Sequence, residues 1–374
     1  MSSTVNLIDL VDNAASDEVA RVMQICNACR YCEGFCAVFP AMERRRRFTP
    51  ADTAYLANLC HHCGACYHAC QYAPPHEFAV NVPQALATLR EDSYVTYAWP
   101  GPLAALFRKN GLMIVLVLML GLGLVTGGML AMISPHLFWG VHSGEGAFYV
   151  LMPHYVMAGI PGAITAFSLL AIVQGWRRYW RHTGARWGGW TAFRGAVSAV
   201  ASLRHLGGEH TGKGQGCPGP DETNSRARQY YHHATFYGFM MCFASTSLAT
   251  AYHYLLGREA PYGYLEPPVL LGTVGGIILC IGTAGLFYEK RRMAEAVKSI
   301  RDYGMDYAFI AILFLVSFTG LVLLAVRETS FMGLTLAIHL GAVYAFFLIM
   351  PYSKFMHGVY RFAALLADEG EKQR

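Results

Sequence analysis

The sequence predicts a mainly α-helical chain in two parts: a polar, cysteine-rich helical module over residues 1–98 and a six-helix membrane bundle over 99–374. Three observations lead there. Of the 11 cysteines, eight fall in two runs of identical spacing. Only 14% of the 374 residues are charged and 54% are apolar, with a mean hydropathy of +0.31, whereas a soluble domain carries about 25% charged residues. After Pro100 come six apolar stretches, near 111–133, 150–175, 232–256, 268–288, 306–326 and 334–353. Each approaches the roughly 20 residues that a bilayer crossing requires.

The N-terminal "MSSTVNLIDLVDNAASDE" lacks the basic start and apolar core of a signal peptide. The first cysteine run, "CNACRYCEGFC" (Cys26 to Cys36), is matched in spacing by "CHHCGACYHAC" (Cys60 to Cys70). Between them, Thr49 followed by Pro50 reads as an N-cap with proline at the first helical position, opening a short helix toward Cys60. "ERRRRF" (Arg44 to Arg47) reads either as a solvated basic patch near anionic lipid or as a docking surface for an acidic partner.

Closely spaced cysteines without a secretory signal point to metal more than to disulfides. In a C-x2-C-x2-C-x3-C run, three close thiolates grip three corners of a [4Fe–4S] cube, and the fourth ligates the other cluster. One cluster would then take Cys26, Cys29, Cys32 and Cys70, the other Cys60, Cys63, Cys66 and Cys36. The exchange explains the duplication, since neither run completes a cube alone. Zinc is the competing reading, because structural zinc sites also use C-x2-C pairs. Zinc sites seldom use this 2-2-3 spacing, least of all twice. The proline usual after the fourth cysteine is replaced by Ala37 and Gln71. His61, His62, His68 and His76 are expected at the surface or around the clusters, where hydrogen bonds tune potential.

In the apolar part, Pro161 and Pro351 predict kinks. A long loop is expected over about 176–231; its start, "WRRYWRHTGARWGGW", reads as interfacial, and its Gly- and Pro-rich middle as irregular and mobile. Lys and Arg are distributed 27 to 2 between the two sides that six spans define, with only Arg258 and Arg327 on the sparse side. The positive-inside rule then predicts a cytoplasmic-membrane protein with both termini and the cysteine module in the cytoplasm.

Ionisable groups within spans are expensive and usually functional. The third span carries His232 and His233 at its inner end and His253 at its outer end; the sixth carries His339 toward the outside, with His357 just past its inner end. His339 and His357 are 18 residues apart, five turns and roughly 27 Å on an unbroken helix. Two stacked bis-histidine haem sites fit: His253 with His339, and His232 or His233 with His357, spacing favouring His232. Neutral imidazole is a usual axial ligand for haem iron. With no C-x-x-C-H the haem, one or two in number, would be b-type. His154 is a further candidate for haem or quinone. Gly275, Gly276 and Gly282 allow close helix packing or room for a porphyrin. Cys242 and Cys280 read as apolar packing, and Cys217 as a thiol with nothing beside it to activate it.

There is no Rossmann glycine fingerprint, P-loop or flavin motif, so the chain is expected to need a partner to act on an organic substrate. No nucleic-acid partner is expected. A carboxylate transporter with a redox-sensing module is the alternative of a different class. It would call for basic residues within the spans and an inverted repeat, and neither is found.

The two runs, together with "GCPGPDE", "HHATFYGFMMCFAST" and six spans, resemble the tricarballylate (citrate) utilisation protein B family over essentially the whole chain. That resemblance implies a membrane protein with iron–sulfur clusters and b haem. It would reoxidise the reduced FAD of a soluble tricarballylate dehydrogenase and pass electrons toward the quinone pool. The same relay could serve a different flavoprotein. More distantly, the cysteine module resembles the helical ferredoxin module of heterodisulfide reductase and succinate dehydrogenase subunits, and the membrane part the haem b subunits of respiratory nitrate reductases.

Overall fold

The computed structural model describes residues 13–206, 217–218, 224–300 and 304–373. The described residues are mainly helical, with one two-residue antiparallel pair, Cys217–Pro218 against Asn224–Ser225. The cysteine module runs through α1 (Asn13–Cys29), α2 (Val38–Glu43), α3 (Pro50–Leu59), α4 (Ala65–His68) and α5 (Val82–Thr96). Short α6 (Gly101–Leu106) leads to α7 (Asn110–Met132), and α8 (Pro135–Phe138) and α9 (Ala147–Leu151) connect it to α10 (His154–His182). Then come α11 (Gly189–Ser202), α12 (Ala227–Leu256), α13 (Pro267–Arg292), α14 (Met305–Val326), α15 (Met332–Ile349) and α16 (Met356–Glu371).

Local chemistry sets the ends of the cysteine-bearing helices. α1 stops at Cys29 because Arg30 takes a left-handed conformation, φ 55°. α3 opens as the sequence predicts: the Asp52 N–H donates to the Thr49 hydroxyl, the Thr49 N–H donates to the Asp52 carboxylate, and Pro50 leads the helix. Gly64, at φ 84°, caps α4 and turns the second run back on itself.

Five stretches among the described residues are long and apolar enough to cross a bilayer: Asn110–Met132, His154–His182, Pro267–Arg292, Met305–Val326 and Met332–Glu371. This is a membrane protein. The third of the six expected spans, absent from these five, forms as α12, a continuous 30-residue helix. Its His232, His233, Thr235, Ser245, Thr246 and Ser247 make it too polar to count with the others. α12 lies directly against α13. A Cβ on Gly275 would sit 2.7 Å from the Met241 Cβ, and one on Gly282 would sit 2.5 Å from the Thr235 nitrogen. Of the two roles open to these glycines, the structure uses close packing.

Two expectations change. The 176–231 segment is not one long loop: α10 continues to His182 and α11 follows. The Gly- and Pro-rich middle and the Cys217 side chain lie outside the described residues. Nor does one helix carry both His339 and His357. Pro351 has no N–H to continue α15, which ends at Ile349; a single tight turn, Met350–Tyr352, and an extended Ser353 precede α16.

α16 then returns to the cysteine module. Ala364, Leu365 and Leu366 are buried with Val19, Val22 and Met23 of α1, Leu56 of α3 and Leu86 of α5, and α11 adds Ala192, Ala196 and Ala199. A cut at residue 98 therefore splits one hydrophobic core. The basic run supplies the polar half of this closure. Arg44 pairs with Asp368 and Glu371, and Arg45 bridges Asp52 (2.6 Å) and Glu371 (2.7 Å). Arg46 and Arg47 remain exposed.

Burial works to raise the Asp52 carboxyl, but hydrogen bonds from Thr49 and Arg45 outweigh it and hold it below the usual range. A depressed folded pKa contributes stability above the unfolded value, about 4, that is lost as pH falls below it. Thermal unfolding in detergent should therefore show the module loosening below about pH 4. At neutral pH, Arg45→Ala removes a charge-assisted partner from Asp52, which keeps Thr49, and from Glu371, which keeps Arg44, and should cost about 1.5–3 kcal/mol. Arg46→Ala should leave the midpoint unchanged.

Candidate metal and cofactor sites

The eight cysteines of the two runs are free of disulfides and gather into two groups of four. Cys26, at the end of α1, feels the charges of Cys32, Cys70 and Cys29. Cys66, in α4, feels those of Cys63, Cys36 and Cys60. Each group thus takes its fourth member from the other run. The groups adjoin at Cys32, which also acts on Cys36 and Cys66. A cavity of about 240 Å³ is lined by Cys26, Cys29, Cys32 and Cys70 together with Tyr31, Phe39 and Tyr72. Burial, then the neighbouring sulfurs, pushes the Cys26 and Cys32 thiols up to about 12, and Cys36 and Cys66 also rise well above the ordinary value. Four largely part-buried thiols facing one another become thiolates only around a cation, which inverts this logic. The donor set therefore fits a metal centre. Among the described residues no three His, Cys, Asp or Glu side chains are close enough to share a single ion.

His61 and His62, expected at the surface or around the clusters, are buried beneath the second run. The His62 N–H donates to the Cys60 sulfur at 3.3 Å, and its ring Nε2 bonds the Val297 carbonyl at 2.6 Å. His61 Nδ1 bonds the Leu59 carbonyl at 3.1 Å. Burial first, and then the nearby arginines, holds both imidazoles well below their usual pKa. His68 and His76 are half-buried.

His232 and His357 come together. Their rings, from α12 and α16, lie 6.0 Å apart between centroids at 76°. Two metal–nitrogen bonds of about 2 Å each, plus the distance from each ring nitrogen to its centre, span about 6 Å. His357 Nδ1 bonds the Lys354 carbonyl, which fixes its ring and turns Nε2 away. His232 Nδ1 is buried with no hydrogen-bond partner. Both line a cavity of about 440 Å³ walled by Phe236, Phe239, Phe309, Leu313 and Phe355, with Arg90, Arg228, Arg361, Lys290 and Lys354 at its polar side. Asp306 pairs with both lysines, at 2.9 and 2.7 Å. An apolar slot between two facing imidazoles, edged by cations, fits an anionic porphyrin.

The other histidines are placed differently. His233 packs on Tyr237, centroids 5.8 Å apart, and it is His232 whose ring lies beside that of His357. His253 does not meet His339. It stacks flat on His154, 3.7 Å between centroids at 16°, with the Tyr149 hydroxyl 3.4 Å from its Nδ1. That spacing leaves no room for an iron between the rings. His339 Nδ1 instead contacts the Thr319 hydroxyl at 3.1 Å, its ring set into the notch at Gly320. The outer pair expected from spacing fails because the helix break before α16 removes the premise of one continuous face.

Three arginines were missed. Arg90 and Arg361 both donate to the Cys60 carbonyl, at 2.8 and 2.7 Å. Arg228 donates to the His62 carbonyl at 2.6 Å. Arg228 lies four residues before His232 and Arg361 four after His357, the helical spacing that places each arginine beside its histidine. That pattern was readable, although the carbonyls it meets were not.

The family profile of citrate utilization protein B matches residues 106–374, and that of the citrate utilization protein B Fer4-like domain matches residues 19–96. A curated relative, citrate utilization protein B of Escherichia coli, is 47% identical over 361 residues, covering 96% of this chain and 93% of the relative. No solved structure matches.

Proposed function

The chain belongs to the citrate utilization protein B family, and on that footing we propose that it is a membrane-bound electron-transfer protein. It accepts electrons from the reduced FAD of a soluble tricarballylate dehydrogenase at the cysteine module and delivers them to quinone in the cytoplasmic membrane. Cys26, Cys29, Cys32 and Cys70 would hold one [4Fe–4S] cluster, Cys36, Cys60, Cys63 and Cys66 the other, and His232 and His357 one b haem. When bound, these groups supply one-electron chemistry that no side chain offers. The observation that carries the reading is the join between the two sites: Arg361, one turn from His357, donates to the carbonyl of Cys60.

The side chains divide the remaining work. α1, α4 and the turn at Arg30 present the thiols in their two groups. The His357–Lys354 bond orients one imidazole, and Phe236, Phe239 and Phe355 keep water from the slot. The Lys and Arg distribution supports a cytoplasmic module and cytoplasmic termini, with α12 as the third of six spans. In α12 the hydroxyls of Thr235, Thr246 and Ser247 donate to carbonyls of their own helix and that of Ser245 to the Pro268 carbonyl, which satisfies the hydroxyls among the polar groups that lower its hydropathy.

A pyridine haemochrome assay checks the histidine assignment. His232→Ala and His357→Ala should each lose most of the haem, whereas His253→Ala and His339→Ala should retain it. The function itself is tested by mixing the purified protein anaerobically with the FAD-reduced dehydrogenase and a short-chain quinone. Flavin reoxidation should become quinone-dependent and fall at least ~100-fold in His357→Ala, the scale on which loss of an essential group acts. An unchanged rate in that variant, or no reoxidation by the intact protein, would count against the proposal.

A further inference from the structure

We infer that the two clusters are poised at different potentials, with the Cys36/Cys60/Cys63/Cys66 cluster the more readily reduced, and that Arg90 and Arg361 are the positioning residues that set this difference. The inference rests on the two-cluster reading above and deepens it.

The two groups of thiols sit in unlike electrostatic surroundings. The cavity of the Cys26 group is lined by no charged side chain. The arginines near that end of α1 are exposed, Arg21 being already paired with Glu18 at 2.7 Å, so water screens them. At the Cys60 group the guanidinium groups of Arg90 and Arg361 both end on the carbonyl of a ligand residue. Arg90 is only 4% exposed, and the Nε atoms of both are buried without a hydrogen-bond partner. No ion pair joins Arg90 or Arg361 to a carboxylate among the described residues; Asp306 and Glu91 reach Arg90 only through space, and Asp306 is already paired with Lys290 and Lys354. A third hydrogen bond, from the His62 N–H, lands on the Cys60 sulfur itself.

Cluster potential follows net charge, hydrogen bonds to sulfur and solvent exposure. A reduced cluster carries one more negative charge, so nearby fixed cations and N–H donors stabilise it and raise the potential. Burial of the Cys60 group opposes this by disfavouring added charge. The same burial, however, leaves the two cations and the N–H dipole poorly screened, and they act at hydrogen-bond distance. The cations therefore prevail. The more reducible cluster is the one next to the His232 and His357 cavity. The gradient thus runs inward, from the charge-free cavity toward the bundle.

The test is an EPR-monitored redox titration of the full-length, detergent-purified protein. Two reduction steps are expected. Cys26→Ser should alter the signal of the lower step and Cys66→Ser that of the higher. Arg90→Gln and Arg361→Gln should move the higher step to more negative potential with the lower step unmoved, while Arg90→Lys, which keeps the charge, should restore most of the shift. Coincident steps, Cys26→Ser altering the higher step, or arginine variants of full iron content with both steps unmoved would each overturn the inference. Should the arginine variants lose iron, the cysteine assignments made with both arginines intact still decide. An intact protein without two four-iron signals would overturn the two-cluster reading itself.

Discussion

Three guanidinium groups from α5, α12 and α16 converge on three consecutive backbone carbonyls, those of Cys60, His61 and His62. That junction fixes the second cysteine run over the mouth of the bundle. It also fixes the rotation of the two helices that carry His232 and His357, because each histidine is one turn from its arginine. Buried cations without carboxylate partners are costly. A fold that brings buried Arg90 and part-buried Arg228 and Arg361 to one place suits an anionic occupant. The thiolate-ligated cluster on one side and the carboxylates of a porphyrin on the other are the candidates for that charge.

The closure of the chain serves the same junction. α16 has an apolar face buried between α1, α3 and α5 and a polar face gripped by Arg44 and Arg45. The C-terminal helix is thus at once a wall of the cysteine module and the carrier of His357 and Arg361. The hydrophobic core does not respect a division between cysteine module and membrane bundle.

The parts of this arrangement that were legible in sequence are those with short-range causes. The 2-2-3 spacing of the thiols, the Thr49 cap and the apolar runs each depend on neighbours within a few residues. The pairing of His232 with His357 was also legible, because both lie near the inner ends of their helices. The pairing of His253 with His339 was misread, since counting turns assumes an unbroken helix and Pro351 breaks it. "ERRRRF" read as surface because its partners, Asp368 and Glu371, are more than 300 residues away. Separation also hid the arginine junction, 30 residues for Arg90 and 301 for Arg361: nothing local to either reveals that both meet at Cys60.

The account stands most directly on what the purified protein holds. Elemental analysis and optical and EPR spectra, taken anaerobically before and after dithionite, should give about eight cluster irons per chain, as two four-iron cubes require. They should also give a reduced b-type α-band with one haem and no stoichiometric zinc. Zinc in the cysteine module with no haem band would contradict the account.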